Sequence, residues 1–274
     1  MSSLLALPMS ETYTNAAPSH GPSGIYAWRS ATYALVGADG AEIASCRCDV
    51  LHASGDIVAK KLAYAGGPSL DVQELRPTAR GSGTGHALWP GAIALSLRLH
   101  GGGLAGAASV VELGCGGTAL PGCYAARALP GARVTLTDGA AELLPAIRAA
   151  AARCGAAATV AGHAYGSGAG GFDGVAGAAY APPAPADLVL GAEIAYRAED
   201  AAALADELPR RLKPGGRAVL CSAALRRPLA AAAALLRSRG LRVSEEVLEL
   251  RVAADDAPRE VHRFRFVTAV RESS

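Results

Sequence analysis

The second part of the chain alternates short apolar runs with longer amphipathic segments. The apolar runs predict strands over residues 110–113, 133–137, 157–161, 188–191 and 217–222. The segments around them predict helices over residues 92–100, 121–129, 142–154, 200–212 and 228–239. Strands that alternate with helices are typical of a parallel sheet with helices on both faces.

The two ends of the chain follow a different pattern. Residues 241–250 and 260–270 predict two strands with no helix between them, and therefore an antiparallel pair at the end of the sheet. Near the start, residues 33–36, 42–48 and 57–64 predict short strands, the first two joined by a turn at 38–40. The predicted fold is α/β: a doubly wound, mostly parallel sheet of seven strands with an antiparallel last strand and a small N-terminal β extension.

These patterns suggest three parts of the chain. Residues 1–24, rich in Ser, Pro and Ala, predict a flexible N-terminus, residues 25–80 the β extension, and residues 81–274 the main domain. The Gly-, Ala- and Pro-rich stretch 166–186 predicts a mobile loop. The extension could lie beside the functional face and help select a partner, or it could be a stabilising cover.

Composition narrows the class of protein. The chain has 274 residues, of which 51% are hydrophobic, and its 26 Lys and Arg nearly balance its 24 Asp and Glu. Bulk charge therefore gives no reason to expect nucleic-acid or membrane binding. The start of the chain lacks the basic and apolar regions of a signal peptide, and no apolar run reaches the roughly 18 residues of a membrane span. We expect a monomer in the cytoplasm, with the nucleus as a further location.

The six cysteines include no C-x-x-C pair, and most lie in apolar stretches. Such cysteines are usually buried thiols in a reducing compartment. Cys46 and Cys48 could form half of a metal site, but no second half is visible, so we expect no metal.

The segment VVELGCGGTALPG, residues 110–122, carries the candidate chemistry. Gly114 and Gly116 follow the first strand, where a sharp turn and a close approach to a ligand require glycine. Glu112 lies within that strand and could accept backbone hydrogen bonds or bind a cationic ligand group. Asp138 ends the next strand, where its carboxylate could accept both hydroxyls of a ribose. The pattern predicts a nucleoside pocket, with a plain strand-to-helix turn as the alternative.

Two kinds of nucleoside cofactor fit this pattern. The spacing Gly114-x-Gly116-x-x-Ala119, with Asp138 further on, satisfies the dinucleotide fingerprint and would suit NAD. A pyrophosphate near the turn would be repelled by Glu112, whereas S-adenosylmethionine has no phosphate and carries a positive sulfonium. The acid therefore favours S-adenosylmethionine, and with it a methyltransferase.

The order of the motifs resembles one family. Thr84-Gly85-His86 with Leu88-Trp89-Pro90, then ELGCGGTALPG, then LTDG, then Ala192-Glu193-x-x-Tyr196 is similar to the seven-β-strand (class I) protein lysine methyltransferases over about residues 80–270. The longer glycine loop and the LTDG segment most resemble the calmodulin-lysine methyltransferase branch. The resemblance implies a Rossmann-like sheet and a protein substrate, for which calmodulin is one candidate.

The resemblance also implies a role for several residues. Trp89 would pack on the methionine end of S-adenosylmethionine, Gly114 and Gly116 would line it, Asp138 would hold the ribose, and Ala192 would touch the cofactor. Tyr165 stands near the place where the family often has an adenine-stacking Trp.

The family's D-x-x-Y segment reads Glu193-Ile-Ala-Tyr196 here, so the acid is one methylene longer. Glu193 and Tyr196 would orient the lysine nitrogen and are the predicted catalytic residues. The structural alternatives are that Trp89 is a core aromatic and that Tyr196 is an ordinary edge residue. The functional alternatives are a methyltransferase that acts on a protein arginine or a small molecule, a non-catalytic protein, and an NAD-binding protein.

Overall fold

The computed structural model describes residues 30–54, 57–75, 84–155, 157–164, 183–255 and 259–273. The strands are β1 (Ala31–Val36), β2 (Glu42–Ser54), β3 (Ile57–Tyr64), β4 (Ser69–Leu75), β5 (Ser109–Glu112), β6 (Arg133–Asp138), β7 (Ala158–Gly162), β8 (Ala186–Ala192), β9 (Leu212–Ala223), β10 (Arg242–Ala254) and β11 (Glu260–Val270). The helices are α1 (Pro90–Arg98), α2 (Leu120–Ala128), α3 (Leu144–Arg153), α4 (Ala198–Arg211) and α5 (Arg227–Ser238).

These strands form one mixed sheet of eleven strands in the order β4-β3-β2-β1-β10-β11-β9-β8-β5-β6-β7. The five strands from β5 to β9 run parallel to one another, and β11 is antiparallel to both β9 and β10. The predicted α/β architecture with an antiparallel last strand is therefore present, but the sheet is mixed and has eleven strands rather than the predicted seven.

The position of the final strand pair differs from the prediction. β10 and β11 are not at the end of the sheet, because β1 pairs with β10 along its length, with Ala31 opposite Ala254 and Val36 opposite Glu249. β1 to β4 then continue as an antiparallel meander. The N-terminal extension is thus part of the same sheet, and it contains a fourth strand, β4, that the sequence pattern did not predict.

Apolar side chains fill both faces of the sheet. α1, α2 and α3 cover one face with Ile93, Leu120, Ile147 and their neighbours. α4 and α5 cover the other face with Leu204, Leu229 and theirs. Helices on both faces are the predicted doubly wound arrangement.

The meander packs on the helices of the first face. The Tyr64 hydroxyl at the end of β3 donates to Ser96 Oγ on α1 at 2.7 Å, and the rings of Tyr64 and Tyr124 on α2 lie 4.6 Å apart. The extension is therefore joined to the domain through its side chains as well as through backbone pairing.

The predicted flexible N-terminus, Tyr165 and most of the predicted loop 166–186 lie outside the described residues.

Candidate functional site

A cavity of about 700 Å³ lies at the carboxyl ends of β5, β6 and β8. This is the edge of a parallel sheet where ligands of α/β proteins bind, and the volume is within the roughly 300–1,000 Å³ range of ligand pockets. The sequence-predicted site residues that line it are Trp89, Glu112, Gly114, Gly116, Asp138, Ala192, Glu193 and Tyr196. Tyr165, predicted beside the adenine, falls outside the described residues.

The glycine loop packs closely against other segments of the cavity wall. Gly114 and Gly116 have φ of +58° and +60°, which favours glycine. A Cβ on Gly114 would lie 2.7 Å from Ile194 Cγ2, and a Cβ on Gly116 would lie 2.8 Å from the Gly85 carbonyl oxygen. The Gly117 N–H donates to that same oxygen at 2.6 Å. The two motif segments, distant in sequence, are therefore in direct contact.

Glu112 lies at the buried end of β5. Its Oε2 accepts a hydrogen bond of 2.8 Å from the Gly122 N–H in the first turn of α2. Burial raises the pKa of this carboxyl to about 8, although the Gly122 hydrogen bond partly offsets the shift. This shift favours the neutral form of the carboxyl, so Glu112 would repel a pyrophosphate less than expected from the sequence.

Asp138, at the end of β6, is held by backbone donors. Its Oδ2 accepts from the Gly116 N–H and its Oδ1 from the Ala140 N–H, each at 2.9 Å. Burial raises the pKa of this carboxyl, and the amide hydrogen bonds oppose the shift. A carboxylate has about four acceptor sites, so both oxygens can still accept a hydroxyl from the cavity.

The start of α2 has few free donors for a phosphate. Pro121 has no N–H, the Gly122 N–H is bonded to Glu112, and the Cys123 N–H donates to the Ala119 carbonyl. Pyrophosphates bind at such helix starts through free backbone N–H groups. This use of the amides, rather than the charge of Glu112, makes the cavity a poor dinucleotide site.

Two aromatic rings stand on one side of the cavity. Trp89 directly precedes α1, which begins at Pro90, and its ring lies edge to face with Tyr196 at 6.4 Å between centroids. Tyr196 follows β8 and is 47% exposed. One part of the Tyr196 ring is therefore open to solvent at the cavity mouth.

Glu193 lies in a strained position directly after β8. Its φ is +54°, a left-handed value that is uncommon for any residue except glycine. Oε1 accepts from the Ala223 N–H at 3.0 Å, and Oε2 lies 3.3 Å from Arg226 Nε. Burial raises the pKa of this carboxyl to about 7, while Arg226 and the Ala223 amide act in the opposite direction. A Cβ on Gly91 of α1 would lie 2.6 Å from Glu193 Cγ, so this packing needs glycine there.

Arg226 is a residue of the site that the sequence analysis missed. Its guanidinium carbon lies 4.9 Å from the centre of the Tyr196 ring, a cation–π distance, and its Nε faces Glu193. The available signal was its position just after β9, at the same edge as the other candidate residues. The Glu193 carboxyl therefore already has a cationic partner within the chain, Arg226.

The two histidines near these motifs differ in their surroundings. His86 lines the cavity. His163 is buried, and its Nε2 lies 2.8 Å from Glu207 Oε1 on α4. His163 therefore has a structural contact within the chain.

No group of three His, Cys, Asp or Glu within the described ranges could hold a metal ion. All six cysteines are buried free thiols. None of the described helices has the length and apolar character needed to span a membrane.

A second cavity, of about 650 Å³, lies at the opposite edge, where β5, β6 and β8 begin at Ser109, Arg133 and Ala186. The described residues that line it include no carboxylate, imidazole or thiol. The cavity at the carboxyl ends is therefore the stronger candidate.

No protein-family model matches the chain, and no curated protein matches it. Three similar solved structures are all named methyltransferases. Precorrin-6y C5,15-methyltransferase from Geobacter metallireducens is 19% identical, with 60% of this chain and 80% of that chain covered and a TM-score of 0.45. S-adenosylmethionine-dependent methyltransferase SibL in its apo form is 20% identical, with 66% and 55% covered and a TM-score of 0.48. The O-methyltransferase from Bacillus cereus in complex with SAH is 14% identical, with 68% and 83% covered and a TM-score of 0.45. At TM-scores below 0.5, these similarities carry no weight in the assignment of a function.

Proposed function

We propose that the chain is an S-adenosylmethionine-dependent methyltransferase. One observation carries this proposal: the cavity presents the Asp138 carboxylate for ribose hydroxyls, while the amides at the start of α2 are used within the chain. A nucleoside without phosphates fits such a site, and a dinucleotide does not. The cavity volume and the aromatic ring of Trp89 also suit an adenosine with a short amino-acid arm.

The residues of the cavity divide into a cofactor group and an acceptor group. Asp138 would accept the ribose hydroxyls, and Gly114 and Gly116 would allow close approach of the backbone. Trp89 would pack against the sulfonium end of the cofactor. When bound, S-adenosylmethionine supplies an activated methyl group on a positive sulfur. The task of the protein is then to hold an acceptor nitrogen in line with that methyl.

For the acceptor, we propose a lysine side chain of a protein. The cavity opens beside the half-exposed ring of Tyr196, so an acceptor carried on another protein can enter along this ring. A lysine amine must lose a proton before it reacts, because its ordinary pKa is about 10.4. The positive charge of Arg226 beside Tyr196 disfavours an ammonium there and so favours the neutral amine.

This placement changes the role proposed for Glu193. Its carboxyl is bonded to the Ala223 amide and faces Arg226, so it acts on the acceptor mainly by holding Arg226 and Tyr196 in position. Tyr196 is then the residue that contacts the acceptor. Calmodulin is a candidate substrate, and we propose that the enzyme acts as a monomer.

A small molecule with a carboxylate is the second candidate acceptor. Arg226 is the observation that favours it, because its guanidinium is one-quarter exposed near the mouth and could pair with an anionic group.

The cofactor is tested by thermal unfolding with added ligands. S-adenosylhomocysteine should raise the melting temperature, since a ligand that binds only the folded state stabilises it, and NAD should have no effect. Stabilisation by NAD alone would refute the proposal.

The acceptor is tested with labelled cofactor. The protein is incubated with methyl-labelled S-adenosylmethionine and a cell extract, and the labelled material is separated by size and hydrolysed. Methyl-lysine from a protein band supports the first candidate. Label in the small-molecule fraction supports the second, and methyl-arginine or another product would exclude lysine as the acceptor.

A further inference from the structure

A buried carboxylate connects the N-terminal meander to the cavity. Glu74, on β4, accepts a hydrogen bond of 2.7 Å at Oε2 from the Leu88 N–H. Its Oε1 lies 2.5 Å from Lys60 Nζ on β3, and both side chains are only 2% exposed. Leu88 is itself buried and directly precedes Trp89 in the cavity wall.

Burial of this pair has an energetic cost. Removing an ammonium and a carboxylate from water carries a desolvation cost, which their attraction repays only with good geometry and further hydrogen bonds. Apolar side chains would fill the same space at lower cost. The distinct contribution of Glu74 is its hydrogen bond to Leu88, since an apolar side chain would leave this buried N–H without an acceptor.

The backbone around Leu88 makes this bond important for the cavity. Trp89 is extended, with φ −81° and ψ 141°, and Pro90, which has no N–H, begins α1. The hydrogen bond from the Leu88 N–H to Glu74 therefore holds the backbone on the N-terminal side of Trp89. A shift of Leu88 would be transmitted to the Trp89 ring.

We propose that Glu74 is a positioning residue, which fixes the Leu88–Trp89 backbone and so the Trp89 side of the cofactor cavity, and that Lys60 balances its charge. The N-terminal extension then builds part of the cofactor site. This inference rests on the proposed function only in that the cavity binds S-adenosylmethionine.

Two double variants separate the hydrogen bond from the ion pair. Lys60→Met with Glu74→Gln removes both charges but leaves a side-chain oxygen that can accept from Leu88. Lys60→Met with Glu74→Leu removes both charges and the acceptor. S-adenosylhomocysteine affinity is measured by titration calorimetry, and the melting temperature is measured without ligand.

The glutamine pair should bind S-adenosylhomocysteine within about twofold of the wild type, and the leucine pair about tenfold more weakly, as expected for one buried amide left without its acceptor. Equal affinity in the two pairs would overturn the proposal. Glu74→Asp provides a further test if the leucine pair does not fold, because it keeps the charge but shortens the reach. Its affinity should also fall, and an unchanged value would count against the proposal.

Tyr64→Phe is the matched control. It removes the buried hydrogen bond from β3 to Ser96 on α1, which does not line the cavity. It should lower the melting temperature and leave the S-adenosylhomocysteine affinity unchanged. A loss of affinity equal to that of the leucine pair would show that any weakening of the extension lowers the affinity, and would count against a specific role of Glu74. A wild-type protein that does not bind S-adenosylhomocysteine would refute the proposed function, a result distinct from those above.

Discussion

The guanidinium of Arg226 lies over the ring of Tyr196, with 4.9 Å between the guanidinium carbon and the ring centre. Tyr196 is the half-exposed residue of the cavity wall proposed to contact the acceptor, and Arg226 limits where its ring can move. Arg226 is in turn held by Glu193. This arrangement makes the end of β9 part of the acceptor site.

Arg226→Gln should reduce turnover at pH 7 much more than S-adenosylhomocysteine affinity. The substitution leaves the buried Glu193 carboxyl without its cation and frees the Tyr196 ring. The loss of a charged partner should also lower the free energy of unfolding by about 1–3 kcal/mol. Turnover is measured as labelled methyl incorporation into the acceptor found in extract.

Arg227→Gln is the control for that substitution. Arg227 is exposed and makes no ion pair with any other described residue. If both arginine variants had the same turnover as the wild type, the role given to Arg226 would be wrong.

Asp138→Ala should chiefly weaken cofactor binding, because it removes the proposed ribose acceptor and the partner of the Gly116 and Ala140 amides. Tyr196→Phe and Glu193→Ala should impair turnover much more than affinity. Titration calorimetry with S-adenosylhomocysteine on the three variants tests this division of roles. The same loss of affinity in all three would refute it.

Glu112→Gln should change the dependence of stability on pH. The pKa of Glu112 is about 8 in the folded protein, above its ordinary value of 4.5, so the folded state keeps a proton that the unfolded state has lost between these pH values. The free energy of unfolding therefore falls as pH rises through this window, by at most about 1.4 kcal/mol per pH unit.

The glutamine variant keeps an acceptor for the Gly122 N–H and cannot titrate, so its stability should fall less steeply between pH 5 and 8. Denaturant unfolding at several pH values measures the slope. Glu199→Gln, on the exposed start of α4, is the control and should keep the wild-type slope. An unchanged slope in Glu112→Gln would show that this carboxyl does not titrate in that window.

Gly116→Ala should be more damaging than Gly106→Ala. Both glycines have positive φ, for which a side chain costs about 1–2 kcal/mol. A Cβ at Gly116 would also lie 2.8 Å from the Gly85 carbonyl oxygen, whereas one at Gly106 would have no atom within 4 Å. Thermal unfolding of the two variants isolates the effect of the close approach. S-adenosylhomocysteine affinity should fall only in Gly116→Ala.

The strand and helix pattern of the main domain could be predicted because its elements are continuous apolar or amphipathic runs. β4 was missed because a charged residue interrupts its alternation of apolar and polar positions. Leu70 and Val72 are buried as expected, but the next buried position is Glu74. β9 begins at Leu212, whereas the sequence pattern predicted a start at residue 217. The register between β8 and β9 shifts after the first pair, Ala186 and Leu212, so a Pro and two glycines lie within the strand.

The site could be predicted where a motif has a local signature, as for Gly114, Gly116 and Asp138. Arg226 and Glu74 have none, because their roles depend on contacts between segments distant in sequence. The interior position of β10 was also not predictable, since nothing local to β1 or β10 specifies that they pair. The raised pKa of Glu112 could not be predicted, because it depends on burial, which the sequence does not quantify.

The pairing of β1 with β10 has a consequence for how the protein is made. Ala31 meets its partner, Ala254, only after the chain between them has left the ribosome. Contacts of such long range slow folding, and until they form, β1 lacks a neighbour on one side and exposes unpaired backbone groups. Completion of the sheet therefore waits for the translation of β10, and a nascent chain stalled before Arg242 should be more prone to aggregate than one that includes β10.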